Sequence, residues 1–155
     1  MFKFSKKMIY AVEAVVYVAL HGKTAPVQSR AITGRQQIPE RYLEQVLQRL
    51  VRCDILKGVR GPRGGYRLAR PAERISIGEI VGVIRGLDGG DESNEHESAS
   101  ELGELIVLPI FEGLDREVME RLDRVLVADL LQQAQAGNSD TSDHSASPAQ
   151  ILQRA

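Results

Sequence analysis

Between residues 58 and 70 the chain reads GVRGPRGGYRLAR, which sets Arg60, Arg63, Arg67 and Arg70 among four glycines. A guanidinium is always charged and carries its donors in a rigid fork, so this density of arginine suits an anionic partner. Gly64 and Gly65 would let a tight turn pass close to that partner. Upstream, in IPERYLEQVLQRLVR, a second set of polar residues falls on one side of a helical repeat: Glu40, Arg41, Glu44, Gln45, Gln48, Arg49 and Arg52. Long side chains of this kind can reach base edges when a helix lies in the major groove of duplex DNA. Ser29, Arg30 and Thr33, in SRAITGR, add hydroxyl and guanidinium groups suited to phosphate or base contacts.

The charge of the whole chain points the same way once it is divided. Its formal net charge is -1. Residues 1–75 nonetheless carry fifteen Lys and Arg against five Asp and Glu, a net of +10, while residues 76–155 carry five against sixteen, a net of -11. A basic first half fits a polyanion, although two oppositely charged halves could also attract each other. Enzymatic motifs are lacking: His21, His96 and His144 are scattered, and no Ser-His-Asp, HExxH or Walker pattern occurs. The single cysteine, Cys53, rules out an intramolecular disulfide and fits a reducing compartment. MIYAVEAVVYVAL is interrupted by Glu13 and is too short to span a bilayer, so it reads as a buried helix in a cytoplasmic protein.

The elements that must position these residues follow from periodicity and caps. A first helix runs from an N-cap at Ser5 to about His21, with Gly22 at its end. A short helix runs from Ser29 to about Gln36, and a third begins at Pro39 with Tyr42, Leu43, Val46, Leu47, Leu50 and Val51 at helical spacing. LKGVR and GYRLA flank GPRGG as a hairpin. Ser76 and Glu79 form a capping box opening a fourth helix. An acidic loop follows, then a long amphipathic helix over about 102–135, broken or started by Pro109, and a mobile polar tail. Cys53 is expected to be a packed core thiol.

This order, helix, short helix, polar-faced helix and basic hairpin, predicts a mainly α winged helix-turn-helix with a small β-hairpin wing. The polar helix would enter the major groove. The wing, with Arg60 and Arg63, would enter the narrow, negatively charged minor groove. The expected organisation is a DNA-binding domain over 1–86, an acidic loop over 87–101, a dimerisation helix over 102–135 and a tail over 136–155.

YLEQVLQRLVR, GVRGPRGGYRLAR and ISIGEIV together resemble the IscR-like, Rrf2-type bacterial transcription regulators, from about Phe4 to about Leu131. The resemblance implies a homodimer, formed by crossing the long helices, that binds a pseudo-palindromic operator; the expected role is that of a repressor, although the sequence itself does not distinguish repression from activation. By matched position Glu44 resembles the family's base-discriminating residue, a carboxylate able to accept from cytosine N4. Arg60 resembles the wing arginine of the minor groove. Tyr42 and Gln45 lie beside Glu44, and Arg41, Gln48 and Arg49 are further candidates on the same helix.

Plainer roles stand beside these. Glu44 could pair with Arg41 or Gln48 on a solvated face, Tyr42 and Tyr66 could edge the core, and Arg67, Arg70 and Arg74 could be solubilising charge. Many family members hold an iron-sulfur cluster on three cysteines before the long helix. Here that segment, LDGGDESNEHESASELGE, has none, so no cofactor is expected. Glu92, Glu95, His96 and Glu97 leave a hard-cation or zinc site as an alternative to a solvated acidic loop. A protein or small metabolite would then be the effector. The rival reading of the whole is a winged-helix module that docks a partner enzyme and binds DNA with little specificity.

Overall fold

A computed structural model describes residues 4–36, 39–88 and 100–139. Helix α1 (Lys6–His21) starts where the Ser5 side chain accepts the Met8 N–H at 3.3 Å. It buries Met8, Ala11, Ala14, Val15, Val18 and Ala19, the apolar surface around which the other elements assemble. Its last turn closes on Gly22, whose N–H donates to the Val18 carbonyl at 2.7 Å.

Helices α2 (Ser29–Gln36) and α3 (Glu40–Arg52) form the helix-turn-helix pair. α3 has Pro39 immediately before it, and buries Leu43, Val46, Leu47 and Leu50. It ends in a Schellman-type turn: Asp54 takes a left-handed φ of 58°, Asp54 N–H donates to Val51 at 3.2 Å and Ile55 N–H to Leu50 at 3.0 Å. This turn sends Ile55 into the core and leaves Cys53 exposed. The expectation of a packed thiol at Cys53 is therefore corrected; the reversal gives the inward position to Ile55 instead.

The wing is the antiparallel pair β1 (Leu56–Val59) and β2 (Gly65–Leu68), with Leu56 opposite Leu68 and Val59 opposite Gly65. Val27, in the connection before α2, bridges Tyr66 through two backbone bonds of 2.9 and 2.8 Å. The hairpin is thus tied along its second edge to the segment that enters α2. A 3-10 turn, Ala72–Arg74, leads to α4 (Ile77–Asp88). The capping box forms as expected: Ser76 Oγ accepts the Glu79 N–H at 3.0 Å and a Glu79 carboxylate oxygen accepts the Ser76 N–H at 3.3 Å.

The expected single helix over 102–135 is divided. A π-helical turn, Gly103–Val107, precedes α5 (Leu108–Asp123), widening the chain where Pro109 has no N–H to offer the carbonyl four residues before it. α6 (Val127–Ser139) follows after a break at 124–126. That break is a docking point: Ile77 N–H donates to Val125 at 2.8 Å and Val127 N–H to Ile75 at 2.9 Å, forming a bridge between Ser76 and Leu126. Val125 and Val127 are buried in the shared core, and α6 packs on α1 and the 3-10 turn. Periodicity carried across the break because both helices keep apolar residues at threes and fours; the backbone bonds to the start of α4 interrupt it. The helix also reaches into the stretch expected as tail. The acidic loop beyond Asp88 and the tail beyond Ser139 lie outside the described residues.

Candidate nucleic-acid interface

The division of α3 into two faces sets the geometry. With four apolar side chains facing the core, Arg41, Glu44, Gln45, Gln48 and Arg52 are exposed together, separated by three, one, three and four residues along one side of the helix. The carboxylate and amides of Glu44, Gln45 and Gln48 offer both donors and acceptors, and Arg41 and Arg52 flank them with charge.

Two of the expected α3 residues are placed differently. Tyr42 is half-buried, its ring edge-on to Tyr10 at 6.5 Å with the Lys7 ammonium 5.6 Å from its centroid, so it joins α3 to α1. Arg49 is half-buried with its Nε shielded from solvent, and its guanidinium lies along α4: a Cβ on Gly86 would stand 3.9 Å from Nη2. On α2, Arg30 is exposed, Ser29 and Thr33 are half-buried, and Thr33 Oγ1 donates to the Arg30 carbonyl at 3.2 Å.

Arg60 and Arg63, in the wing turn, are both exposed. The shape of the turn depends on three glycines. Gly61 takes φ 115° and Gly65 φ 153°, and the Gly64 N–H donates to Gly61 at 2.9 Å. A Cβ on Gly64 would overlap the Val59 carbonyl, and one on Gly65 would overlap the Val27 carbonyl. Gly64 and Gly65 therefore act through the backbone: they make the turn and allow Val27 to pair with Tyr66.

The pieces are held to one another. Gln28 Nε2 donates to the Pro62 carbonyl at 3.5 Å, linking the residue before α2 to the wing tip. The Tyr66 hydroxyl is shifted to higher pKa, first by burial and then by the negative charge of Glu44, which sets the wing's inner residue within electrostatic reach of the exposed α3 face. Arg67 donates to the Lys23 and Thr24 carbonyls at 3.2 and 3.0 Å. Arg70 donates to Asp54 at 2.9 Å, to Arg74 at 2.9 Å and to Glu79 at 2.8 Å. Both are bracing residues rather than free surface charge. Local sequence had no signal for Val27 or Gln28, whose partners lie in the hairpin far along the chain; the arginine density hinted at Arg67 and Arg70 but not at carbonyl partners.

The exposed face of α3, the entry to α2 and the arginine-bearing turn are thus linked through Tyr66 and Gln28, and together they present long polar and charged side chains of a kind that can reach into a groove. Among the described residues no group of three His, Cys, Asp and Glu side chains could hold a metal ion. Glu92, Glu95, His96 and Glu97 lie outside the described residues. Among the described residues no helix is long and apolar enough to cross a membrane.

Comparison with known proteins identifies the family and the fold. The Rrf2 family model, described as an iron-dependent transcriptional regulator, matches residues 4–133. The chain is 36% identical over 116 residues to the HTH-type transcriptional regulator IscR of Xenorhabdus nematophila, covering 67% of this chain and 71% of that one. Its fold superposes on IscR of T. potens with a TM-score of 0.69 at 29% identity, covering 92% of this chain and 94% of that one. The oxidised form of Staphylococcus aureus CymR superposes with a TM-score of 0.66 at 26% identity, covering 84% and 96%.

Proposed function

The chain belongs to the Rrf2 family of DNA-binding transcriptional regulators, and from that premise we propose how it engages its operator. A homodimer lays α3 of each protomer in successive major grooves, with Glu44, Gln45, Gln48 and Arg41 at base edges. Arg60 of each wing enters the adjacent minor groove, and Arg63, Arg30, Ser29 and Thr33 hold phosphates. Gly64 and Gly65 shape the wing, while Tyr42 and Arg49 seat α3 against α1 and α4. Residues up to about 86 form the DNA-binding unit and the polar tail lies outside it. The observation that carries this reading is the link between the exposed α3 face and the wing: the charge of Glu44 is felt at Tyr66 of β2, and Gln28, at the entry to α2, bonds Pro62 at the wing tip.

Dimerisation is supported by the apolar stripe left in solvent before and along α5. Leu102, Leu105, Ile106, Ile110, Phe111 and Leu114 are all exposed, at helical spacing. A monomer rarely leaves such a contiguous stripe uncovered. Repression follows as the simplest outcome of a dimer occupying a promoter, and the polar, DNA-directed surface gives no support to catalysis.

The family description invokes iron, and the donor set here can be tested against it. An iron-sulfur cluster of the kind implied by the family resemblance draws on several thiolates. This chain has one cysteine, exposed at the end of α3, and none in the segment between α4 and α5. These residues do not fit a cluster, so the release signal is a protein partner or a small metabolite.

Binding to a genomic operator, measured across salt concentrations, tests the docking. The parent's affinity falls steeply with salt as counterions are released. Arg60→Ala costs about 1–3 kcal/mol. Equal affinity of parent and Arg60→Ala at every salt concentration overturns the placement of the wing.

A further inference from the structure

Away from α2, α3 and the wing turn, the structure has a cleft of about 490 Å³ between the C-terminal end of α1, the base of the wing, the 3-10 turn and α6. Its accessible apolar wall is Leu68 of β2 and Leu131 of α6; Val18 and Ala19 of α1 and Ala72 of the 3-10 turn also line it but are buried. Its polar lining is one-sided. Lys23, Lys57, Arg67 and Arg70 contribute four cations, and Glu73 is the one carboxylate among the lining residues.

These cations differ in availability. Arg70 spends its three nitrogens on Asp54, Arg74 and Glu79, and Arg67 holds the Lys23 and Thr24 carbonyls of the turn after α1 while no carboxylate pairs with it among the described residues. Lys23 and Lys57 are exposed at the edge of the cleft, and Lys57 lies opposite Arg67 in the hairpin register. Three positive groups, two of them on adjacent strands, thus border a hydrophobic wall. An open cleft with an apolar wall and a cationic border can take a small ligand, and the volume falls in the usual range.

We propose that this cleft binds a small organic carboxylate with an apolar body, seated with its carboxylate at Lys23, Lys57 and Arg67 and its hydrocarbon against Ala72 and Leu131. The proposal deepens the regulatory reading above by naming a chemical class for the signal, and it rests on that reading only for its consequence. The consequence is mechanical. Lys57, Arg67 and Leu68 belong to the wing, Lys23 to the turn after α1, and Leu131 to α6, so an occupant touches both the DNA-reading hairpin and the helix that follows the break after α5. A ligand that prefers one relative position of wing and α6 shifts DNA affinity by its differential affinity for the two.

Octanoate is the probe, added to the protein with methyl resonances of Leu68, Ala72 and Leu131 followed by NMR. Saturable shifts confined to these methyls are expected, absent with octylamine and with acetate. The double variant Lys23→Gln, Lys57→Gln, which leaves the Arg67 and Arg70 braces in place, weakens octanoate by about tenfold or more. Absence of saturation at roughly 10 mM, equal shifts with octylamine, or an unchanged affinity in the double variant overturns the proposal. So does protection of the two lysines by a short random-sequence duplex with no octanoate effect, which would make them an extension of the DNA interface. Octanoate binding is read in the absence of DNA, so its failure leaves the Arg60 experiment untouched, and failure of that experiment leaves this one standing.

Discussion

Gly65→Ala is the most informative single change to the wing. Gly65 sits at φ 153°, a conformation L residues avoid, and a Cβ there would overlap the Val27 carbonyl, with Val27 C at 2.6 Å and Gln28 N at 2.9 Å. All of these atoms are backbone, so relief requires the hairpin to leave the α1–α2 connection. The strain amounts to about 1–3 kcal/mol. The two Val27–Tyr66 bonds, at 2.9 and 2.8 Å, add about 0.5–1.5 kcal/mol each if they break. The combined loss is about 2–6 kcal/mol, a large share of a net stability of about 5–15 kcal/mol, and Tm falls by at least about 4 °C. Gly58→Ala is the control, because a Cβ at Gly58 meets nothing within 4 Å; its effect stays within about 0.5 kcal/mol. Thermal denaturation by circular dichroism, paired with fluorescence anisotropy on labelled operator, reads both stability and docking. If Gly65→Ala melts with the parent and binds DNA equally well, or if Gly58→Ala is as damaging, the wing is not held in the way described.

Phe111→Glu places a charge in the exposed stripe of α5 without touching the buried core. Sedimentation velocity then shows a folded monomer, and operator affinity falls by about 100-fold or more as bivalent binding is lost. Arg70→Ala removes bonds to two carbonyls and the 2.8 Å pair with Glu79. The loss is about 1–3 kcal/mol in urea denaturation, and Arg70→Lys recovers only part of it because an ammonium lacks the fork that spans Asp54, Arg74 and Glu79.

Much of the fold is legible in the sequence because it is encoded locally. Ser5 caps α1, Ser76 and Glu79 cap α4, and the glycine-rich turn between two β-prone runs becomes the hairpin, each through bonds between near neighbours. The polar face of α3 is equally legible, because a period of 3.6 separates its buried from its exposed residues. What stays hidden depends on partners distant in sequence. Val27 looks like any residue after a proline until Tyr66 arrives beside it, and the break between α5 and α6 exists because Ile75 and Ile77 bond to its backbone. Arg67 and Arg70 read as surface charge since nothing local announces carbonyl partners. Of the candidate interface, the exposed residues were legible from side-chain chemistry, whereas Tyr42 and Arg49 fall at the margin of the polar face, where packing against Tyr10 and α4 decides.

On the proposed reading α3 reads base identity and Glu44 sets one position of the recognised sequence. A selection from randomised duplexes, run in parallel with the parent and Glu44→Ala, tests it most directly. The parent is expected to enrich two inverted half-sites about one helical turn apart, or a multiple of it. Glu44→Ala should keep the two half-sites but lose preference at one symmetric position, without a matching loss of overall affinity, since removing the carboxylate also removes repulsion from phosphates. An identical profile for both proteins, or no enriched sequence from the parent, would contradict the account.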